Sequence, residues 1–457
     1  MKWLRRIAAV IGLALAVFVV ACAWQILKVQ YGCTPESSAA SAGGGFGIHD
    51  PKYARAEGDS FLTYPEWYIV YAYSDLAGVT RAFSESSFDY FGSIRGFWSS
   101  LCGARRSTSL ARPPTQDQMI TDYIIGSSFM AEMAVQGLYE RTIGALTVAW
   151  RGSARTKEDD FNLTLLDDYA KFLEQTPWYR YPFADKLSAL WHDVPFEPSL
   201  RSVERRFSLS LQYGIKSIYA KGIEALAGLS PADLDIGSVV LVPSAQALPT
   251  DARIRPVRDV RETDAREGVL MITPRYREFT GIIREIGAKG LSFAEIAGNT
   301  RILTTVLVPP GNLPSASGAK PIFETDVQSM PGWRRVGYDT QVSAVAALPA
   351  AVEAQGAKFE HPMITEAHHR LFRFAGGAAA VLAVWFVGMA AIALVVTPTV
   401  VVAFGDPGRL AEADGDLLAS GRGFLAMRTG SNDTVKSLYQ NGAWLVWPVL
   451  TAGCGRR

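Results

Sequence analysis

The chain has 457 residues, 49% hydrophobic and 19% charged, with a formal net charge of +1. Globular chains average about 25% charged residues, and the deficit here comes from two uncharged stretches near the ends. A near-neutral chain without clustered Lys and Arg, and without RNP, zinc-finger or helix-turn-helix signatures, argues against a nucleic-acid partner.

The first stretch, Ile7 to Ile26, carries no charge. About 20 apolar residues in a helix cover a bilayer core of ~30 Å, so residues 7–27 are predicted as a first transmembrane helix. Lys2, Arg5 and Arg6 precede it, and the positive-inside rule places residues 1–6 in the cytoplasm. Two other readings compete: a cleaved signal peptide, or a lipoprotein signal ending at Cys22. The run continues past Cys22 into Ala23 and Trp24, which suits an uncleaved anchor better. Residues 28–60, with the segment TPESSAASAGGGFGI, read as a flexible linker.

Residues 61–235 are predicted as a mostly helical, aromatic-rich domain. Phe61 to Tyr73 carries an aromatic at nearly every second or third position. Such rings form either a core or a groove for an apolar ligand. Within them Glu66 is a weak catalytic candidate, because a carboxyl buried among aromatics would hold its proton tightly. Asp122 to Trp150 is apolar but interrupted by Glu132, Glu140 and Arg141. It reads as a buried helix, with a third span as the alternative. Glu132 and Glu140, eight residues apart, share a helix face. Farther on, Leu200, Val203, Phe207, Leu211, Ile215 and Ile218 step by threes and fours, the period of an amphipathic helix.

Residues 236–365 are predicted as a ferredoxin-like α/β domain. Gly268 to Thr273 is a strand, Pro274 opens a helix, and Leu291 to Ile296 is the next strand. Ile302 to Val308 is expected as its hairpin partner. Gln341 to Leu348, a Pro349 helix and Ala357 to His361 repeat the syntax, giving a split β-α-β arrangement with an inserted loop at 309–340. One sheet face would bind a ligand or pack on the helical region. The second uncharged stretch, Phe374 to Phe404, predicts a second transmembrane helix over 371–404, broken by Pro398. Residues 405–457 then form a cytoplasmic tail.

Three of the five histidines fall in His361-Pro-Met-Ile-Thr-Glu-Ala-His-His369. The Glu366-x-x-His369 spacing lets a carboxylate and an imidazole meet one metal from a single helical turn. His361, Glu366, His368 and His369 are therefore weak metal candidates, and a transition metal is the one cofactor the sequence suggests. A collar of polar groups at a membrane surface is the plainer explanation. Of the four cysteines, Cys33 and Cys102 would share an oxidising compartment and could pair. Walker A, G-x-S-x-G, H-E-x-x-H and G-x-G-x-x-G motifs are missing from the sequence.

The sequence thus predicts a membrane-anchored α+β chain in a bacterial inner membrane, with residues 28–370 extracytoplasmic. Its expected work is accessory or assembly binding of envelope proteins, lipid or another apolar ligand. A metal-dependent membrane enzyme and a transport or lipid-handling subunit are the alternatives.

Overall fold

The computed structural model describes residues 2–35, 64–108, 116–151, 155–176, 178–197, 199–227, 235–261, 266–275, 277–362, 400–413, 415–421, 423–429 and 432–448. Two compact units are present: Gln25–Phe374, and Met1–Trp24 with Ala375–Arg457.

The larger unit begins with helices. They are α1 (Lys2–Gly32, shared with the smaller unit), α2 (Tyr64–Ala82), α3 (Tyr90–Arg106), α4 (Gln116–Tyr139), α5 (Ala145–Arg151), α6 (Lys157–Leu173), α7 (Phe183–His192) and α8 (Leu200–Ala227). A single π-helical turn, Glu140–Gly144, joins α4 to α5. Local chemistry starts the helices: Thr156 and Asp159 form a capping box at α6, and Ser199 Oγ accepts from the Ser202 amide at the head of α8. The predicted aromatics are core. Tyr64, Tyr73, Phe88, Tyr90 and Phe97 are all but inaccessible to solvent, and edge-on pairs such as Tyr68 with Phe97 fill the space between α2, α3 and α4.

Two four-stranded antiparallel sheets follow. The first contains β1 (Asp235–Val240), β2 (Arg255–Arg261), β3 (Glu267–Pro274) and β4 (Phe293–Ile296), in the order β2-β3-β1-β4. Helix α9 (Arg277–Ala288) links β3 to β4 and buries Phe279, Ile282, Ile283 and Ile286 against Val269, Met271 and Phe293. The second contains β5 (Arg301–Val308), β6 (Ala319–Asp326), β7 (Arg334–Gln341) and β8 (Lys358–Pro362), in the order β6-β7-β5-β8. Here α10 (Val342–Val345) and α11 (Leu348–Glu353) occupy the place of α9. The smaller unit holds a third sheet, of β9 (Val400–Phe404), β10 (Asp416–Gly421), β11 (Phe424–Arg428) and β12 (Leu445–Pro448). Short α12 (Pro407–Leu410) follows β9, and α13 (Asn432–Gln440) links β11 to β12. Its order is β10-β11-β9-β12. All three sheets therefore share one β-β-β-α-β topology.

The fold corrects the sequence reading in several places. The ferredoxin-like domain is not formed. The strand-helix-strand syntax occurs as expected, but each copy closes its own sheet. Among the described residues, β4 pairs only with β1, and β5 pairs with β7 and β8. The Ala297-Gly298-Asn299 turn carries the chain between sheets instead of closing a hairpin; Ala297 and Gly298 have φ of 51° and 79°. The segment 309–340 contains β6 and most of β7. One face of the second sheet is covered by α2, where Tyr71 Oη lies 2.8 Å from Thr305 Oγ1 and Tyr64 packs on Phe323.

The membrane spans are not supported either. Among the described residues, no helix is long and apolar enough to cross a membrane. The last turns of α1 carry Gln25, Lys28 and Gln30; Val29 is buried there and Arg105 donates to its carbonyl at 2.7 Å, while Trp24, Leu27 and Tyr31 are exposed. Of the second predicted span, residues 371–399 lie outside the described residues. Its end, Val400–Phe404, is a central strand pairing with β11 and β12, as its β-branched run favours. The integral-membrane assignment, and with it the inner-membrane location and the cytoplasmic tail, loses its basis.

Candidate functional site

Helix α8 is inside out. An apolar stripe of helical period ordinarily faces a core. Here Leu200, Val203, Phe207, Leu211, Ile215 and Ile218 face solvent, Phe207 being 72% and Ile218 77% exposed. Between 200 and 219 every exposed position is apolar. The opposite face, turned inward, carries Arg201, Ser202, Arg205, Arg206 and Tyr213.

The inward charges are compensated. Arg205, fully buried, pairs with Glu85, with Glu140 at 2.9 Å and with Asp159 at 3.2 Å. Arg201 donates to Thr147 and to Glu204 at 2.9 and 2.8 Å, and pairs with Asp159 at 3.0 Å. Arg206 holds Glu158 at 2.7 Å beneath the rings of Trp191 and Phe196. Asn162 and Gln136 donate to Glu85, and Tyr213 donates to Asn162. Three guanidinium groups thus face five carboxyl groups. Burial pushes the Glu140 carboxyl up to about 7, Glu85 adding to the rise and Arg205 opposing it. Burial raises Glu204 to about 7 as well. Burial would raise Asp159 too, but Arg205 and Arg201 outweigh it and hold this carboxyl below the usual range. Burial disfavours the Arg205 charge, yet its carboxylate neighbours hold it firmly protonated. The π-turn sets this geometry. It presents Glu140 inward, and Gly144 leaves room for the Glu140 carboxyl, which a Cβ would strike.

The partner of α8 is α4–α5, which buries Phe129 and Met133 in the core yet also turns ionised and polar groups toward α8. Lys216 meets Glu132 at 2.6 Å, Arg205 meets Glu140, and Arg201 meets Thr147. Numbers fall on one helix as they rise on the other, so α4–α5 and α8 run antiparallel, joined by polar contacts on their inner sides. On the outer side of α4–α5, Val135, Leu138, Ile143, Leu146 and Trp150 are exposed, Trp150 to 79%. The two helices together form an apolar wall.

The sequence candidates are placed as follows. Glu66 lies in the first turn of α2, partly buried. His361 is buried on β8, its Nδ1 2.9 Å from Thr280 Oγ1 and its ring 4.6 Å from Trp67. Burial, with Arg277 and Arg335 adding, lowers its pKa to about 4. Glu366, His368 and His369 lie outside the described residues. Among the described residues, no group of three or more His, Cys, Asp or Glu could hold a metal ion. Cys33 and Cys102 are joined in a disulfide, tying the end of α1 to α3. A shallow cleft of about 440 Å³ near that tie is lined by Arg106, Arg301, Lys320 and Asp339.

Sequence reasoning passed over Arg201, Arg205 and Arg206 as a set. The available signal was three arginines in six residues on a helix whose apolar stripe was already complete without them. No family, curated protein or solved structure matches the chain.

Proposed function

We propose that this chain is a binding protein with an accessory or assembly role, which docks an apolar helical surface of a protein partner on the wall formed by α4–α5 and α8. The carrying observation is the inversion of α8. Its polar residues are locked into buried ion pairs, so rotation about the helix axis cannot hide the apolar stripe. The eleven exposed side chains offer on the order of 1,000 Å² of apolar surface. Apolar patches on monomers are commonly about 300–600 Å², and a stable interface takes about 800 Å² from each side. The absence of charge on the stripe of α8 matches the charge-depleted centre of protein interfaces.

The test compares the wild type with a Phe207→Asp, Leu211→Asp variant by sedimentation. The wild type is expected in a complex heavier than one chain, and the variant as a single chain with unchanged circular dichroism. A wild type that is a single chain, with the wall open to a hydrophobic dye to the same extent at all concentrations, overturns the proposal.

A further inference from the structure

One end of the second sheet and the end of α3 enclose a basic cleft. Leu303 and Lys320 lie directly opposite Asp339 on its two neighbouring strands. Arg301, two residues before Leu303, shares that face, since alternate residues of a strand point the same way. It is the face that meets the helices. Leu303 belongs to the helical core, and Gly103 of α3 comes so close to β6 that a Cβ there would lie 3.0 Å from that of Phe323. Where α3 ends, at Arg106, sheet and helix together line the cleft of about 440 Å³. The Cys33–Cys102 disulfide and a 3.1 Å hydrogen bond from Arg106 to the Gly32 carbonyl hold this helix end in place.

The charges of the cleft suit an anion. Asp339, its side chain only 5% exposed, spends its carboxylate on Arg301: Nε meets Oδ1 at 2.9 Å, and Nη2 meets Oδ2. That fork fixes the guanidinium plane and leaves Nη1 without a hydrogen bond among the described residues. Lys320 stands opposite Asp339, whose ion pair is with Arg301, so its ammonium is left over among the described residues. With Arg106 at the rim, three cations face one carboxylate, an excess of two positive charges. The carbonyls at the C-terminus of α3, which would repel an anion, are engaged: Ser107 and Thr108 donate to those of Gly103, Ala104 and Arg105. Pro321 and Ile322 add an apolar border. The volume lies within the range of small-ligand sites, about 300–1,000 Å³.

We infer that this cleft binds the phosphoryl group of a small phosphomonoester, with Arg301 Nη1 and Lys320 on its oxygens, Arg106 adding charge at the rim, and Pro321 and Ile322 beside the organic part. Such a group carries about −1.5 to −2 at neutral pH, which balances the excess, whereas a carboxylate supplies a single charge. Guanidinium donors match the spacing of phosphate oxygens, and a cleft lined by one sign of charge concentrates the opposite ion. None of these residues belongs to α4–α5 or α8, so the site is independent of the apolar wall.

The experiment is titration calorimetry of the full chain at low ionic strength with phenyl phosphate, inorganic phosphate and benzoate as probes. One phenyl phosphate per chain is expected, bound at least as tightly as inorganic phosphate and about 10-fold or more tightly than benzoate. Lys320→Gln should weaken phenyl phosphate binding about 10-fold or more, the loss of one charge-assisted hydrogen bond, and Lys320→Arg should keep most of it. Arg301→Gln combined with Asp339→Asn removes the guanidinium without stranding the buried carboxylate, and should weaken binding to a similar degree. Lys171→Gln, which neutralises an exposed cation on α6 outside the cleft, should leave the affinity unchanged. Circular dichroism confirms that each variant is folded. Absence of saturable binding with phenyl phosphate up to about 10 mM overturns the inference. So does a loss with Lys171→Gln equal to that with Lys320→Gln, benzoate binding as tight as that of phenyl phosphate, or inorganic phosphate binding that phenyl phosphate does not match.

Discussion

Replacing Arg205 by Met tests the inner half of the inverted helix. The side chain is 2% exposed and is paired with Glu85, Glu140 and Asp159. Met fills most of the volume but leaves these carboxylates without their main counter-charge. Removing one member of a buried ion-pair group costs about 3–5 kcal/mol. That penalty depends on pH. The Glu140 carboxyl already titrates at about 7 with the arginine present, and without it the folded-state pKa rises further above the unfolded value. A carboxyl with a raised folded pKa is neutral in both states at low pH, and destabilises the fold as pH rises through the range between the two values. The Arg205→Met loss should therefore be largest at pH 8 and shrink toward pH 5. Urea unfolding followed by circular dichroism at both pH values measures it. Adding Glu140→Gln to Arg205→Met should recover part of the loss at pH 8 and flatten the pH dependence. A single variant within about 1 kcal/mol of the wild type at pH 8, with no change between the two pH values, would refute the argument that Arg205 neutralises this interior.

The other expectations concern neighbouring parts of the fold. Gly287→Ala drives a Cβ into the Ala346 carbonyl, where α9 meets the α10 segment; overpacking of this kind costs about 1–3 kcal/mol, and an unchanged urea midpoint would contradict the close approach. Cys33→Ser opens a closure spanning 69 residues; chain entropy puts the loss at about 4 kcal/mol, seen as a lower melting temperature that reductant no longer affects. The folded His361 stays neutral down to about pH 4, while the unfolded residue takes up a proton below about 6.5. Its contribution is whole above that value and is lost as pH falls from 6.5 toward 4. Melting temperatures of His361→Gln should decline less over that window than those of the wild type, and parallel curves would disprove it.

How far the sequence reveals this molecule depends on the range of the interactions concerned. The strand-Pro-helix-Gly-strand syntax around Pro274 and Gly290 is local, and it forms where the residues indicate. Which sheet each strand joins is not local: β4 and β5 are separated by four residues yet belong to different sheets. The loop reading of 309–340 followed its Pro, Gly and Ser content. Strand β6 escaped notice because its inner face packs on α2 and α3 through Phe323 and Ile322, contacts contributed by residues more than two hundred positions away. The uncharged stretch ending at Phe404 was read by hydropathy alone, whereas the pairing of Val400–Phe404 between two other strands satisfies its backbone and buries Val401 and Ala403.

The sequence by itself determined that α8 is helical and that its apolar residues share one face, because that period is a property of the backbone. It could not determine which way the face points. Hydrophobicity assigns a stripe to the interior, but the decision here belongs to Glu85, Glu140, Glu158 and Asp159, up to 120 residues away. They gather three arginines inward and leave the stripe outside. Only the tertiary structure brings those charges together, since an ion pair acts through space and leaves no mark on the periodicity of either partner.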